Sequence, residues 1–135
     1  MKGVATGKAA LDALVVLDSS CWLEYFSNSP RAELYAEAVV NTAALVVPII
    51  TIYEVYKVAL REFGLSHANQ AVALMREGQV VDVNLNIALS AAATGLPLAD
   101  SLIYATAQTR GATLWTQDAH FKALADVKYF PKNPC

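Results

Sequence analysis

The chain has 135 residues, the size of a single domain, and is 56% hydrophobic and 16% charged. That composition excludes a disordered tail and is apolar for a small monomer, so a second chain is expected to cover part of the surface. Twelve acids against ten bases give a net charge of −2, which excludes binding of nucleic acid or an anionic membrane through a general positive field.

Residues 1–13 come before the first strand signal and are read as an N-terminal extension of uncertain origin, with the domain over 14–135. Lys2 and Lys8 are not followed by the apolar stretch of a signal peptide. The uncharged runs 38–53 and 83–99 are too short, and too broken by Asn and Pro, to span a bilayer. Cys21 and Cys135 have no metal or redox spacing, so a reduced, cytoplasmic protein away from membranes is expected.

In chain order, a strand over 14–17 runs into Asp18 where a helix begins, and Ser29-Pro30 opens a helix over 31–40. A strand at 45–47 is followed by Thr51 and Glu54 at capping-box spacing, before a helix that Gly64 ends. Ser66 caps a helix stopped by Gly78, and a strand follows over 79–83. Asn84 starts a helix stopped by Gly95, and Pro97 precedes another that runs to Gly111. Strands over 113–116 and 127–130 complete the series. The strands are nearly continuous apolar runs, as in parallel sheets covered on both faces. The expected fold is α/β, a single three-layer domain with a mostly parallel sheet of four to five strands flanked by helices.

Seven of the twelve acids fall into two groups. Glu33, Glu62 and Glu77 lie within two residues of Arg31, Arg61 and Arg76 and read as solvated helix faces. Asp18, Glu54, Asp100 and Asp118 stand among apolar neighbours with no adjacent base, at strand ends or in first helical turns. In an open parallel sheet those positions share one edge, where ligands bind at a switch in strand order. Carboxylates gathered there raise one another's pKa, and a divalent cation relieves the repulsion. Hard oxygen donors suit Mg²⁺ or Mn²⁺. Each acid also has a local alternative: Glu54 as the capping partner of Thr51, Asp118 as a helix N-cap, Asp100 as a favourable charge at a helix start.

At these residues the chain resembles the PIN-domain ribonucleases, especially the toxins of VapBC-type toxin–antitoxin pairs. Val-Val-Leu-Asp18-Ser-Ser is similar to the first motif of that family, and Glu54 in Pro-Ile-Ile-Thr-Ile-Tyr-Glu-Val to the second. Leu-Pro-Leu-Ala-Asp100-Ser-Leu-Ile-Tyr is similar to the third, and Thr116-Gln-Asp118-Ala-His-Phe121 to the fourth. Gln117 departs from the family, whose members often carry Arg or another polar residue there, so a basic contact to substrate is missing.

The resemblance implies a Mg²⁺- or Mn²⁺-dependent endoribonuclease. Asp18, Asp100 and Asp118 would ligate metal, with Glu54 on a second ion directly or through water, and a metal-activated water would leave a 5′-phosphate and a 3′-hydroxyl. Ser19 and Thr116 would support the acids or the scissile phosphate, or serve as backbone caps. Lys57, Arg61 and Lys122 are possible RNA contacts or a solvated face. The resemblance further implies a cognate antitoxin in an apolar groove near the first three helices, and a homodimer. Trp22, Tyr25, Phe26, Tyr53 and Tyr56 could line such surfaces or pack in the core.

Other readings fit less well. A haloacid-dehalogenase-type phosphatase needs a second aspartate where Ser20 stands, and a receiver domain needs an acidic pair before Asp18. Gly3-Val-Ala-Thr-Gly-Lys8 is one residue short of a phosphate loop. No Gly-x-Ser-x-Gly elbow accompanies His67 or His120, although His120, two residues from Asp118, could assist at the site or lie on the surface. The alternative from another class is a catalytically silent PIN-like module that binds RNA or protein.

Overall fold

Residues 14–132 are described by a computed structural model; the extension over 1–13 and Cys135 lie outside the described residues. Five strands form one sheet: β1 (Val15–Leu17), β2 (Leu45–Pro48), β3 (Gln79–Val81), β4 (Thr113–Thr116) and β5 (Val127–Tyr129). Their order is β3-β2-β1-β4-β5 and every pairing is parallel. Among the described residues there are six α-helices: α1 (Ser19–Phe26), α2 (Glu33–Val40), α3 (Ile49–Phe63), α4 (Leu65–Met75), α5 (Leu85–Ala92) and α6 (Leu98–Arg110). None is long and apolar enough to cross a membrane.

Period-two alternation divides the strand side chains between two cores. Val16, Val46, Val81 and Leu114 face α5 and α6, where they pack with Ile87, Ala91, Ile103 and Phe121. Leu17, Leu45 and Val47 face the other way and pack with Cys21, Trp22, Tyr35, Val55 and Met75. The result is the expected three-layer arrangement.

Several helix boundaries differ from expectation for local reasons. Pro48 stands at the N-cap of α3, and Thr51 inside the first turn donates to the Pro48 carbonyl at 2.6 Å, so no capping box with Glu54 forms. The helix expected from Arg31 begins at Glu33, after a turn in which the Arg31 N–H bonds to Ser29 Oγ. Ser66 is not a cap: α4 starts at Leu65, directly after Gly64 at φ 92°. Asn84 does cap α5, accepting from the Ile87 N–H at 2.9 Å.

Gly78 lies beyond the end of α4, which stops at Met75. Its requirement is close approach: a Cβ there would stand 2.8 Å from the Leu45 carbonyl oxygen and 3.0 Å from Val47 Cγ2 on β2. Gly78→Ala is therefore expected to destabilise the fold by about 1–3 kcal/mol, the usual range for overpacking, read as a lower thermal midpoint.

The topology positions the site. From β1 the chain builds outward through β2 to β3, then crosses to the other side of β1 for β4 and β5. The switch in direction falls between β1 and β4, and a crevice forms outside their carboxyl ends.

Candidate active site

Asp18 emerges from the carboxyl end of β1 and its backbone N–H reaches across the switch point to the Trp115 carbonyl at 2.9 Å. Its carboxylate is only 5% exposed. Oδ1 accepts the Ser19 N–H at 2.8 Å, and Oδ2 accepts Thr116 Oγ1 at 2.9 Å and Ser20 Oγ at 3.1 Å. Three donors leave part of the carboxylate's roughly four acceptor positions free. Burial pushes this carboxyl up to about 6; the three hydrogen bonds pull it down, and the charge of Asp100 adds to the rise.

Thr116 ends β4 and is fully buried. While donating to Asp18, its hydroxyl oxygen accepts the Asp118 N–H at 2.9 Å, so one side chain fixes two of the acids. Asp118 in turn caps the short 3-10 turn Ala119–Phe121 by accepting the His120 N–H at 2.9 Å. The N-cap alternative for this residue therefore holds beside any ligating role.

Asp100 lies in the first turn of α6. Donor atoms of Asp100, Asp118 and His120 lie within 4.8 Å of one another. His120 Nδ1 is 3.3 Å from Asp118 Oδ1 and 4.0 Å from Asp100 Oδ2. Burial raises the Asp100 carboxyl, the charges of Asp118 and Glu54 raise it further, and His120 opposes them. Glu54, on α3, accepts Ser19 Oγ at 2.5 Å. Asp100 and Asp118 thus share one ligand-sized cluster with His120, which Asp18 and Glu54 do not join; Asp18 is tied to Asp118 through Thr116, and Ser19 bonds both Asp18 and Glu54.

These donors fit a hard divalent cation. Asp118 and Glu54 stand close enough to raise the Asp100 carboxyl, and Asp100 close enough to raise that of Asp18, and charge neutralisation by a divalent ion such as Mg²⁺ or Mn²⁺ answers that repulsion. No thiolate approaches the cluster among the described residues: Cys21 faces the core and burial pushes its thiol up to about 12.

The outer cations fall elsewhere. Lys57 lies over the Tyr53 ring, Arg61 pairs with Glu62 at 3.1 Å, and Lys122 lies over the Tyr129 ring. None of them lines the cavity beside Asp18 and Asp118. Trp22 is fully buried and lines no surface. Phe26 instead joins Ala59, Phe63, Ala71 and Leu74 around an apolar groove of about 350 Å³ between α1, α3 and α4.

Sequence reasoning missed the parts of Ser20, Arg31 and Gln117, and left His120 open between the site and the surface. Ser20 bonds Asp18 at a position weighed only for a second acid. His120 joins the cluster while its side chain stays 69% exposed, so it is both a surface residue and a neighbour of the acids; its signal was its place two residues after Asp118. Arg31 is not a solvated partner of Glu33. Its guanidinium donates to Gln117 Oε1 at 2.6 Å and to the carbonyls of Phe130 and Pro131 at 3.2 and 3.1 Å. Gln117 is 4% exposed, and no local pattern connects it with Arg31.

A sequence model of the family described as PIN domain matches residues 15–127. No curated protein matches the chain significantly. Among solved structures, a toxin–antitoxin complex from Klebsiella pneumoniae is similar with TM-score 0.70 and 22% identity, over 84% of this chain and 95% of that one. VapBC2 from Rickettsia felis, bound to a DNA fragment from its promoter, gives TM-score 0.68 and 13% identity over 87% and 99%. Mycobacterium tuberculosis VapC20, a sarcin-ricin loop cleaving toxin, gives 0.67 and 16% over 87% and 99%.

Proposed function

The chain belongs to the PIN-domain family, and from that membership we propose that it is a Mg²⁺- or Mn²⁺-dependent endoribonuclease, the toxin of a toxin–antitoxin pair. The observation that carries this reading is the cluster of Asp100, Asp118 and His120 at the switch point, with Asp18 linked to it through Thr116 and to Glu54 through Ser19, and the carboxyls of Asp18 and Asp100 raised by burial and by acidic neighbours.

Asp18, Asp100 and Asp118 would hold the ion, and Glu54 would bind a second ion directly or through water. A bound divalent ion supplies charge neutralisation at the phosphate and acidifies water for attack at phosphorus. The chain's own residues hold that arrangement still. Thr116 and Ser20 fix Oδ2 of Asp18, the Ser19 N–H fixes Oδ1, and Ser19 Oγ holds Glu54. His120 Nδ1 stands beside Asp118, where it can share a proton with the carboxylate or join it as a ligand.

Support for the partners is of two kinds. The similar structures include a toxin–antitoxin complex and a toxin that cleaves the sarcin-ricin loop. The apolar groove between α1, α3 and α4 suits an antitoxin segment presenting apolar side chains. Leu85 and Leu89 are 73% and 63% exposed on α5 beside the edge strand β3, and a homodimer would cover them. Lys57, Arg61 and Lys122 would meet RNA phosphates further from the cut. Action on cellular RNA would take place in the cytoplasm.

The test is cleavage of a mixed RNA pool by purified protein with Mg²⁺ or Mn²⁺ and with chelator. Cleavage is expected only with metal. In the same assay Thr116→Val, which removes the link between Asp18 and Asp118, is expected to lower the rate by ~10–100-fold, the usual cost of losing a partner that orients a ligand. An unaltered rate would remove Thr116 from the machinery.

A further inference from the structure

We infer that Lys132 is the cation that grips the substrate phosphate at this site, held in place by an Arg31–Gln117 clamp. The inference rests on the nuclease reading and names the group that would offset substrate charge.

A cavity of about 260 Å³ beside the acids is lined by Asp18, Ser20, Gln117, Asp118, Ala119 and Lys132. Among the described residues lining it, Lys132 is the only cation. A phosphodiester entering next to two carboxylates needs positive charge on its far side, and an ammonium on a long stem supplies it without a fixed bidentate geometry. Lys132 also lines the adjoining groove that runs past Ser20 and Gln117 toward Glu24 and Glu62, so it stands where the two meet.

The approach of Lys132 is fixed by its neighbours. Arg31 donates to the carbonyls of Phe130 and Pro131 and, through Nε, to buried Gln117, the residue before Asp118. The Phe130 N–H donates to the Thr116 carbonyl at 2.8 Å, and the Phe130 ring packs against Trp115 and Tyr35. The backbone leading into Lys132 is thus tied to the strand that ends in Thr116. Gln117, read as the loss of a basic residue, anchors the segment that supplies one.

Binding separates this role from chemistry. Fluorescence anisotropy of the full chain with a labelled single-stranded RNA, in chelator and between 50 and 200 mM salt, would compare the parent with Lys132→Ala, Lys132→Arg and Arg31→Met. Thermal unfolding would establish that each variant is folded. Lys132→Ala is expected to weaken binding roughly tenfold and to lower the salt slope by about 0.7, one phosphate contact on a single strand. Lys132→Arg should restore both. Arg31→Met should weaken binding in the parent but add little to Lys132→Ala, because it acts by positioning the lysine. Parent-like affinity and slope in Lys132→Ala would overturn the inference. RNA binding that depends on Lys132, without cleavage in any metal, would sink the nuclease reading and leave Lys132 as a phosphate contact of an RNA-binding module rather than of a substrate site. Failure of the parent to bind RNA, in chelator and with Mg²⁺ alike, would overturn both.

Discussion

Asp18→Asn is expected to leave a protein that no longer cleaves RNA and yet unfolds at a higher temperature than the parent when metal is absent. The carboxylate is 5% exposed and burial pushes its pKa from 3.8 to about 6. Holding it ionised at neutral pH costs the metal-free fold up to about 3 kcal/mol, taking ~1.4 kcal/mol per pKa unit. Asparagine has the same shape and no charge; its Oδ1 can keep the Ser19 N–H, and the Thr116 and Ser20 hydroxyls can turn to accept from its amide. The thermal midpoint should therefore rise by several degrees, at about 2–8 °C per kcal/mol for domains of this size range. Cleavage should fall by at least the ~100-fold that loss of an outer partner of a ligand can cost. A variant that is inactive because it is unfolded would contradict the first half, and a variant with parental cleavage the second.

The same burial sets a pH dependence of the opposite sign to that of a salt-bridged acid. Unfolded, the Asp18 carboxyl releases its proton near 3.8; folded, near 6. Between these values the folded state holds more protons, so raising the pH favours unfolding. Metal-free protein should lose stability from about pH 4 to about pH 6 and show no further loss from Asp18 above that. Asp100, raised in the same direction by burial and by Asp118 and Glu54, adds to the trend. Above pH 6 a divalent ion should restore the loss: at a concentration ~100 times its dissociation constant it contributes about 2.7 kcal/mol. Circular-dichroism melts across pH 4–7.5, in chelator and in Mg²⁺, would test this. A midpoint that rises with pH in chelator would contradict it, and Asp18→Asn should flatten most of the slope.

Strands and the acids at their ends were legible in the sequence because both depend on short-range signals. The apolar run 113–116 forms β4 with those bounds, and Asp18 and Asp118 follow strands whose apolar character fixes them. Glu54 was placed correctly beside an incorrect account of Thr51, which bonds Pro48 because α3 starts as soon as the strand ends. Trp22 reads from its spacing as a residue for core or surface alike, and only the packing of α1 against the sheet decides that it is buried. Arg31 was beyond reach. Its partners Gln117 and Phe130 lie 86 and 99 residues away, and the nearby Glu33 offered a plausible pairing that the fold does not use. His120 is the intermediate case, since adjacency to Asp118 was visible but the approach to Asp100 depends on how α6 meets β4.

If these four carboxylates serve hydrolysis of RNA by metal-activated water, the cut ends carry the signature of that chemistry. RNA incubated with the protein in Mg²⁺ or Mn²⁺ should yield fragments with 5′-phosphate and 3′-hydroxyl ends, and none when chelator is added. Fragments ending in a 2′,3′-cyclic phosphate and formed equally in chelator would contradict the account, because attack by the neighbouring 2′-hydroxyl needs neither the ion nor the acid cluster that would hold it.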